Sequence, residues 1–191
     1  MKRWIIAITL FAASLLIISE THAHYTVSSQ AHNVITTGGV EIAVEEWQQT
    51  PQGLSPYPDT PIAVMPGREV SKIVTVRNLE KTCYVRARVM AIITDREGKE
   101  TVLSQEDVDA LLQWDVDQAF WQQKENDDIW WYYTNSLQEG AVTAPLFEKI
   151  LFSGQEMGNR YQGSTIRVHV TAQAVQAANN GESALLAVGW P

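Results

Sequence analysis

From Thr165 to Ala174 the chain alternates without a break: Thr165, Arg167, His169, Thr171 and Gln173 stand at one parity, Ile166, Val168, Val170, Ala172 and Ala174 at the other. A two-residue period held over ten positions is that of a strand with one wet and one dry face, and no helical stripe reproduces it. One polar face also implies an antiparallel, half-exposed sheet, because the strands of doubly covered parallel sheets are apolar throughout. Other strands must then supply the opposing dry face.

Several stretches qualify. In the segment from Cys83 to Ile93, Cys83, Val85, Ala87, Val89, Ala91 and Ile93 share one face, with Arg86 and Arg88 on the other. Val40, Ile42 and Val44 alternate beyond a Gly38-Gly39 bend, and Val70, Val74 and Val76 mark an extended run to Leu79 after a Pro66-Gly67 turn. Residues 49–61 contain four of the seven prolines, which places them in a loop. Asp95 to Lys99 reads as a hairpin turn. Ser104 reads as the N-cap of a short helix with acids in its first turn and Val108, Leu111 and Leu112 as its apolar stripe. Two further strands are expected over Asp127 to Thr134 and Pro145 to Phe152. About seven strands and one inserted helix predict an all-β chain: an antiparallel, jelly-roll-like β-sandwich.

Met1 to Trp4 carries two positive charges, Ile5 to Ile18 is an apolar run broken only by the uncharged Thr9 and Ser14, and Ser19 to Ala23 is short, polar and ends in the small Ala23. That tripartite pattern is a secretory signal peptide, residues 1–23, with cleavage between Ala23 and His24. Its apolar core is shorter than a membrane span, so no membrane attachment is expected after cleavage. Removing Lys2, Arg3 and Glu20 takes the formal charge from −8 to −9. An acidic exported chain has no electrostatic footprint for nucleic acid.

The remaining 168 residues suffice for one core without disulfides. They hold one cysteine, Cys83, which reads as a buried small hydrophobe, with a reactive thiol or an intermolecular disulfide as the alternatives. Residues 24–33 precede the domain at 34–191. They are low in charge, free of Gly and Pro, and alternate weakly, with Tyr25, Val27, Ser29 and Ala31 on one side. Such a tail either stays disordered or adds itself as a strand to an exposed sheet edge.

No catalytic, cofactor-binding or metal-ligating set emerges. The His-Glu-x-x-His zinc signature, the nucleophile elbow and a glycine-rich phosphate loop are all absent. His24, His32 and His169 have no ligand spacing, and His169 reads as a solvated residue on a wet face. The acids between Glu97 and Asp128 read as solvated faces and helix-dipole partners, with calcium as an alternative that lacks the usual loop. Trp114, Trp121, Trp130, Trp131, Tyr132 and Tyr133 read as core aromatics or as a carbohydrate or partner surface.

The ordered set of Asn33 to Ile42 with Thr36 and Gly38, Pro66-Gly67, Asn78 with Tyr84-Val-Arg, the Trp130-Trp-Tyr-Tyr strand, Pro145-Leu-Phe, and Asn159-Arg-Tyr161-Gln162-Gly163 before Ala172-Gln-Ala resembles the TasA/camelysin family of exported bacterial proteins. The resemblance spans nearly all of the chain beyond the signal peptide; residues 97–128 are its least supported part. It implies a jelly-roll domain and processing by a SipW-type signal peptidase. It also implies a secreted, non-enzymatic role at the cell surface or in the matrix of Gram-positive biofilms, as a biofilm-matrix or pilus-like fibre subunit. Its partners would be other copies of itself and an accessory fibre or anchoring protein. In that family an N-terminal segment complements the sheet of the next subunit, which makes Tyr25, Val27, Ser29 and Ala31 the inward groups of a donor strand. The alternatives are a camelysin-like metalloendopeptidase, for which no zinc ligands are found, and a surface adhesin or carbohydrate-binding module.

Overall fold

The computed structural model describes residues 25–32, 35–36, 39–59, 62–64, 66–156, 161 and 163–191. The expected signal peptide and cleavage site, Ala23 and His24 included, lie outside the described residues, as do Asn33, Gly38, Asn159 and Gln162.

The described residues form an all-β sandwich with one short helix. Its strands in chain order are β1 (Tyr25–His32), β2 (Ile35–Thr36), β3 (Val40–Thr50), β4 (Gly53–Pro56), β5 (Ile62–Val64), β6 (Glu69–Ser71), β7 (Ile73–Asn78), β8 (Cys83–Thr94) and β9 (Glu100–Val102). After the helix α1 (Gln105–Leu111) come β10 (Leu112–Trp114), β11 (Trp121–Lys124), β12 (Asp127–Tyr133), β13 (Lys149–Phe152) and β14 (Thr165–Gln176). The principal sheet runs β11-β12-β8-β14-β1-β5, with β9 hairpinned onto β8; opposite it lie β10-β13-β6 and β2-β3-β4, the latter with β7 on the other edge of β3.

The long strands follow their alternation. β8 and β14 pair antiparallel from Cys83↔Gln176 to Thr94↔Thr165, and Val85, Ala87, Ala91, Ile166, Val168, Val170, Ala172 and Ala174 are fully buried. Val40, Ile42, Val44, Val74 and Val76 face them across the core with Phe147, Ile150 and Phe152. Cys83 is buried among these groups, and burial pushes its thiol up to about 12, so it is a protonated core residue at neutral pH.

Three local expectations change. Within the proline-rich stretch, β3 runs on to Thr50 and turns back as β4, whose Leu54 and Ser55 pair with Gln49 and Gln48. Pro56 is tolerated because β4 is an edge strand, where a missing N–H costs no ladder bond. The run from Val70 to Leu79 is two strands: β6 pairs with β13 and β7 with β3, and the chain changes sheets at Lys72. Residues 97–128 are part of the fold rather than a surface insertion. α1 starts at Ser104, whose hydroxyl accepts from the Asp107 N–H at 3.1 Å, and it sends Val108 and Leu111 into the core. β11 forms one edge of the principal sheet and buries Trp121 completely.

A second apolar cluster sits on the outer face of the principal sheet. Residues 177–191 fold back so that Ala184, Ala187 and Trp190 cover Tyr84, Tyr132 and Val175. Arg86 lies inside this cover, 4.3 Å from the Trp130 ring and 4.8 Å from the Trp190 ring, and donates to the Gln173 side-chain oxygen at 2.6 and 2.8 Å.

Candidate assembly site

The sequence leaves one strand without an obvious partner, the segment from Tyr25 to His32, and the structure gives it a place. β1 lies parallel to β14, in register from Thr26↔Thr165 to His32↔Thr171. Its other edge meets β5 antiparallel over Tyr25↔Val64, Thr26↔Ala63 and Val27↔Ile62. All other strand pairs among the described residues are antiparallel, so β1 is the exception in its own sheet.

That geometry has a topological cause. A parallel neighbour cannot be joined by a tight hairpin, and here the first and last of the described strands are brought together.

The berth itself is built by β14. Ile166, Val168 and Val170 are fully buried, while Thr165, Arg167, His169 and Thr171 are half-buried on the opposite face. Val27, Ser29 and Ala31 stand in register with Ile166, Val168 and Val170, and Tyr25 stands opposite Val64 of β5. β5 matches only the first three residues of β1, which leaves the β5-side edge of Ser28 to His32 outside any described ladder. Arg167 donates to Glu100 at 3.2 Å across the outer face. His169, read as solvated from the sequence, is half-buried there with its Nε2 enclosed, in a strand that is paired on both sides, with Met90 of β8 and Gln30 of β1 in register.

The remaining motif positions are distributed through the fold and converge on no reaction centre. Thr36 lies in β2 opposite Val40. Pro66 and Gly67 form the turn into β6, where Gly67 has φ +72° and donates its N–H to the Phe152 carbonyl at 2.8 Å. Gly154 closes on the same turn, and a Cβ there would meet the Gly67 nitrogen at 3.3 Å. The carbonyl of Tyr161 accepts from the Ser164 N–H at 3.0 Å, and Gly163 takes φ +77° in contact with Arg96. Asn78 is buried and ties the β7–β8 turn, donating to the Lys81 and Leu137 carbonyls at 2.9 Å each. Among the described residues, no three His, Cys, Asp or Glu side chains lie together as a metal ion would require.

One constellation escaped the sequence reading. Lys72 is fully buried, its ammonium 2.7 Å from a Glu46 carboxylate oxygen and 4.1 Å from the centre of the Tyr57 ring. The other Glu46 oxygen and the Tyr57 hydroxyl are buried without a protein hydrogen bond. Burial lowers the Lys72 ammonium to about 8 despite the carboxylate beside it, and raises the Tyr57 phenol to about 12. The only sequence signal for it is the parity of Glu46, which continues Val40, Ile42 and Val44 on the dry face of β3.

Comparison with protein-family models, with curated proteins and with solved structures finds no match to this chain.

Proposed function

We propose that this chain is a secreted structural subunit that polymerises into extracellular fibres of the biofilm-matrix or pilus type, each copy donating β1 to the next. The observation that carries the reading is the position of β1. It is the first of the described strands and is held by ladders to β14 and β5, in a berth that the same segment of another copy fits equally well. A strand exchanged head to tail gives a heterologous contact that does not close on itself, and such contacts build filaments.

Exchange is nearly neutral in contacts, since every hydrogen bond of the donated strand is made either within one chain or between two. Concentration then decides between the closed monomer and the polymer. The exposed edge left by withdrawal of β1 is the kind that sandwich proteins must cover, which favours occupied berths in both states. Export through the signal sequence at residues 1–23, a SipW-type peptidase for its removal, and an accessory anchoring partner belong to the same proposal, which rests for these on the TasA/camelysin resemblance.

Removing Tyr25 to His32 should leave a folded monomer that forms no filaments, seen as retained near-ultraviolet circular dichroism with an empty negative-stain field. A synthetic peptide of Tyr25 to His32 added in excess to the intact chain should cap growth and shorten filaments. Filaments of normal length from the deleted chain would refute strand donation.

A further inference from the structure

We infer that the β11–β12 edge of the principal sheet carries a binding site for a neutral saccharide. The cleft there has a volume of about 370 Å³ and is lined by Gln118, Trp121, Gln122, Gln123 and Trp131. This volume lies in the range of small-ligand clefts, roughly 300–1,000 Å³.

The site arises where the inner face of the sheet runs past the core. Trp121 and Trp131 share that face, since Gln123 pairs with Trp131 and Trp121 with Tyr133 across the β11–β12 ladder. Trp121 is fully buried and holds its position by donating its indole N–H to the Ala144 carbonyl at 3.0 Å. One step outward, Trp131 packs against the core and is only half-buried; its partner on β8 is the buried Ala87, and its partner on β11, toward the edge, is the exposed amide of Gln123. The Gln123 amide is set by its donation to the Asp128 carbonyl at 2.6 Å. Gln118 is exposed, and its amide is engaged by no other described residue; Gln122 pairs with Tyr132, so it alternates to the outer face and borders the cleft only from the strand edge.

The chemistry of the lining selects the ligand. In a chain with 22 acidic and 14 basic residues, none of the five lining side chains is charged, so neither an anion nor a cation finds a counter-charge there. An apolar ligand would strip water from the Gln118 and Gln123 amides without replacing their hydrogen bonds. Sugar hydroxyls both donate and accept, as carboxamides do, and the C–H face of a pyranose ring packs on an indole. Amides around a partly exposed tryptophan therefore fit an uncharged, polyhydroxylated ligand. The inference is independent of fibre formation: β8 and β14 separate the β11–β12 cleft from β1 in the sheet.

The test titrates the full chain and its variants with chitohexaose, cellohexaose and maltohexaose, following tryptophan emission and heat. At least one should give a saturable response, and polygalacturonate none. Trp131→Ala should weaken that binding by about tenfold or more, and Gln118→Ala/Gln123→Ala several-fold. The glutamines are exposed, so the second variant remains informative if Trp131→Ala loses its near-ultraviolet signal. The chain lacking Tyr25 to His32 should bind like the intact one, which separates this site from strand donation. Absence of any saturable response to the three oligosaccharides at about 10 mM, or equal binding by the intact chain and the Gln118→Ala/Gln123→Ala variant, would overturn it.

Discussion

Glu46→Gln is expected to destabilise the fold by about 3–5 kcal/mol, because it removes the carboxylate charge that lies 2.7 Å from the fully buried Lys72 ammonium. The side chains of this pair are 0% and 7% exposed, so water cannot take over the role of the lost carboxylate. Replacing both partners, as Glu46→Leu/Lys72→Met, should return stability to within about 1 kcal/mol of the intact chain or above it, since the desolvation of two charges then disappears with their attraction. Urea unfolding of the three chains decides the matter, and a Glu46→Gln variant no less stable than the intact chain would contradict the pairing.

The same pair gives a pH signature. The folded ammonium titrates near 8 and its unfolded counterpart near the ordinary 10.5. Below 8 both states hold the proton and the cost of burying the charge is paid in full. As pH rises from 8, the folded state releases its proton first, so the intact chain gains stability, at up to about 1.4 kcal/mol per pH unit. Burial of Cys83 and Tyr57 works in the opposite direction, because their protonated forms are favoured in the folded state and the unfolded thiol and phenol ionise first, from pH 9 and 10 upward. The clean comparison is between the intact chain and Glu46→Leu/Lys72→Met from pH 7.5 to 9, where only the intact chain should gain from the lysine.

Trp121→Ala carries a comparable penalty, about 3–5 kcal/mol. The indole is fully buried, lies 5.1 Å from the Tyr133 ring, and satisfies the Ala144 carbonyl. Its loss opens a cavity beneath an edge strand of four residues and removes a hydrogen bond that has no substitute nearby. β11 should loosen first, so amide exchange at Trp121 to Lys124 should accelerate more than exchange in β8. Ile129→Ala, at a side chain that is 50% exposed, is the control and should stay within about 0.5 kcal/mol. A small effect of Trp121→Ala would contradict the placing of β11 as a strand that carries part of the core.

These residues also show what the sequence can and cannot reveal. β14, β8 and β3 were legible because each has one wet face, and a two-residue period against water needs no knowledge of the partner strand. α1 was legible through Ser104 and the acids behind it, which are local chemistry. The split between β6 and β7 was not, because the buried Lys72 looks from sequence like one more solvated lysine between two valine-rich runs. Its interior position follows from the chain changing sheets at that residue. Glycine and proline counts made residues 49–61 a loop, since the edge location that excuses Pro56 is a property of the whole sheet.

The assembly site divides in the same way. That Tyr25 to His32 is extended was readable from its composition. That it should run parallel to β14 was not, because the pairing joins the first and last of the described strands and depends on β5 and β14 being placed first. The β11 cleft was hidden for a related reason: adjacent tryptophans in one strand point to opposite faces, and only the folded sheet tells that Trp130 meets Arg86 and Arg88 on the outer face while Trp131 stands with Gln123 on the inner one.

The most direct test of strand donation uses two chains that cannot form the bond alone. Ser28 and Arg167 are paired in register between β1 and β14, and cysteines at paired strand positions fall within disulfide reach. A Ser28→Cys chain and an Arg167→Cys chain are mixed, assembled, oxidised and run without reductant; Cys83, buried and protonated, takes no part. Donation between copies predicts a disulfide-linked heterodimer that appears with the filaments and is absent when either chain is oxidised alone. Filaments that form from the mixture and yield no such species would contradict the account.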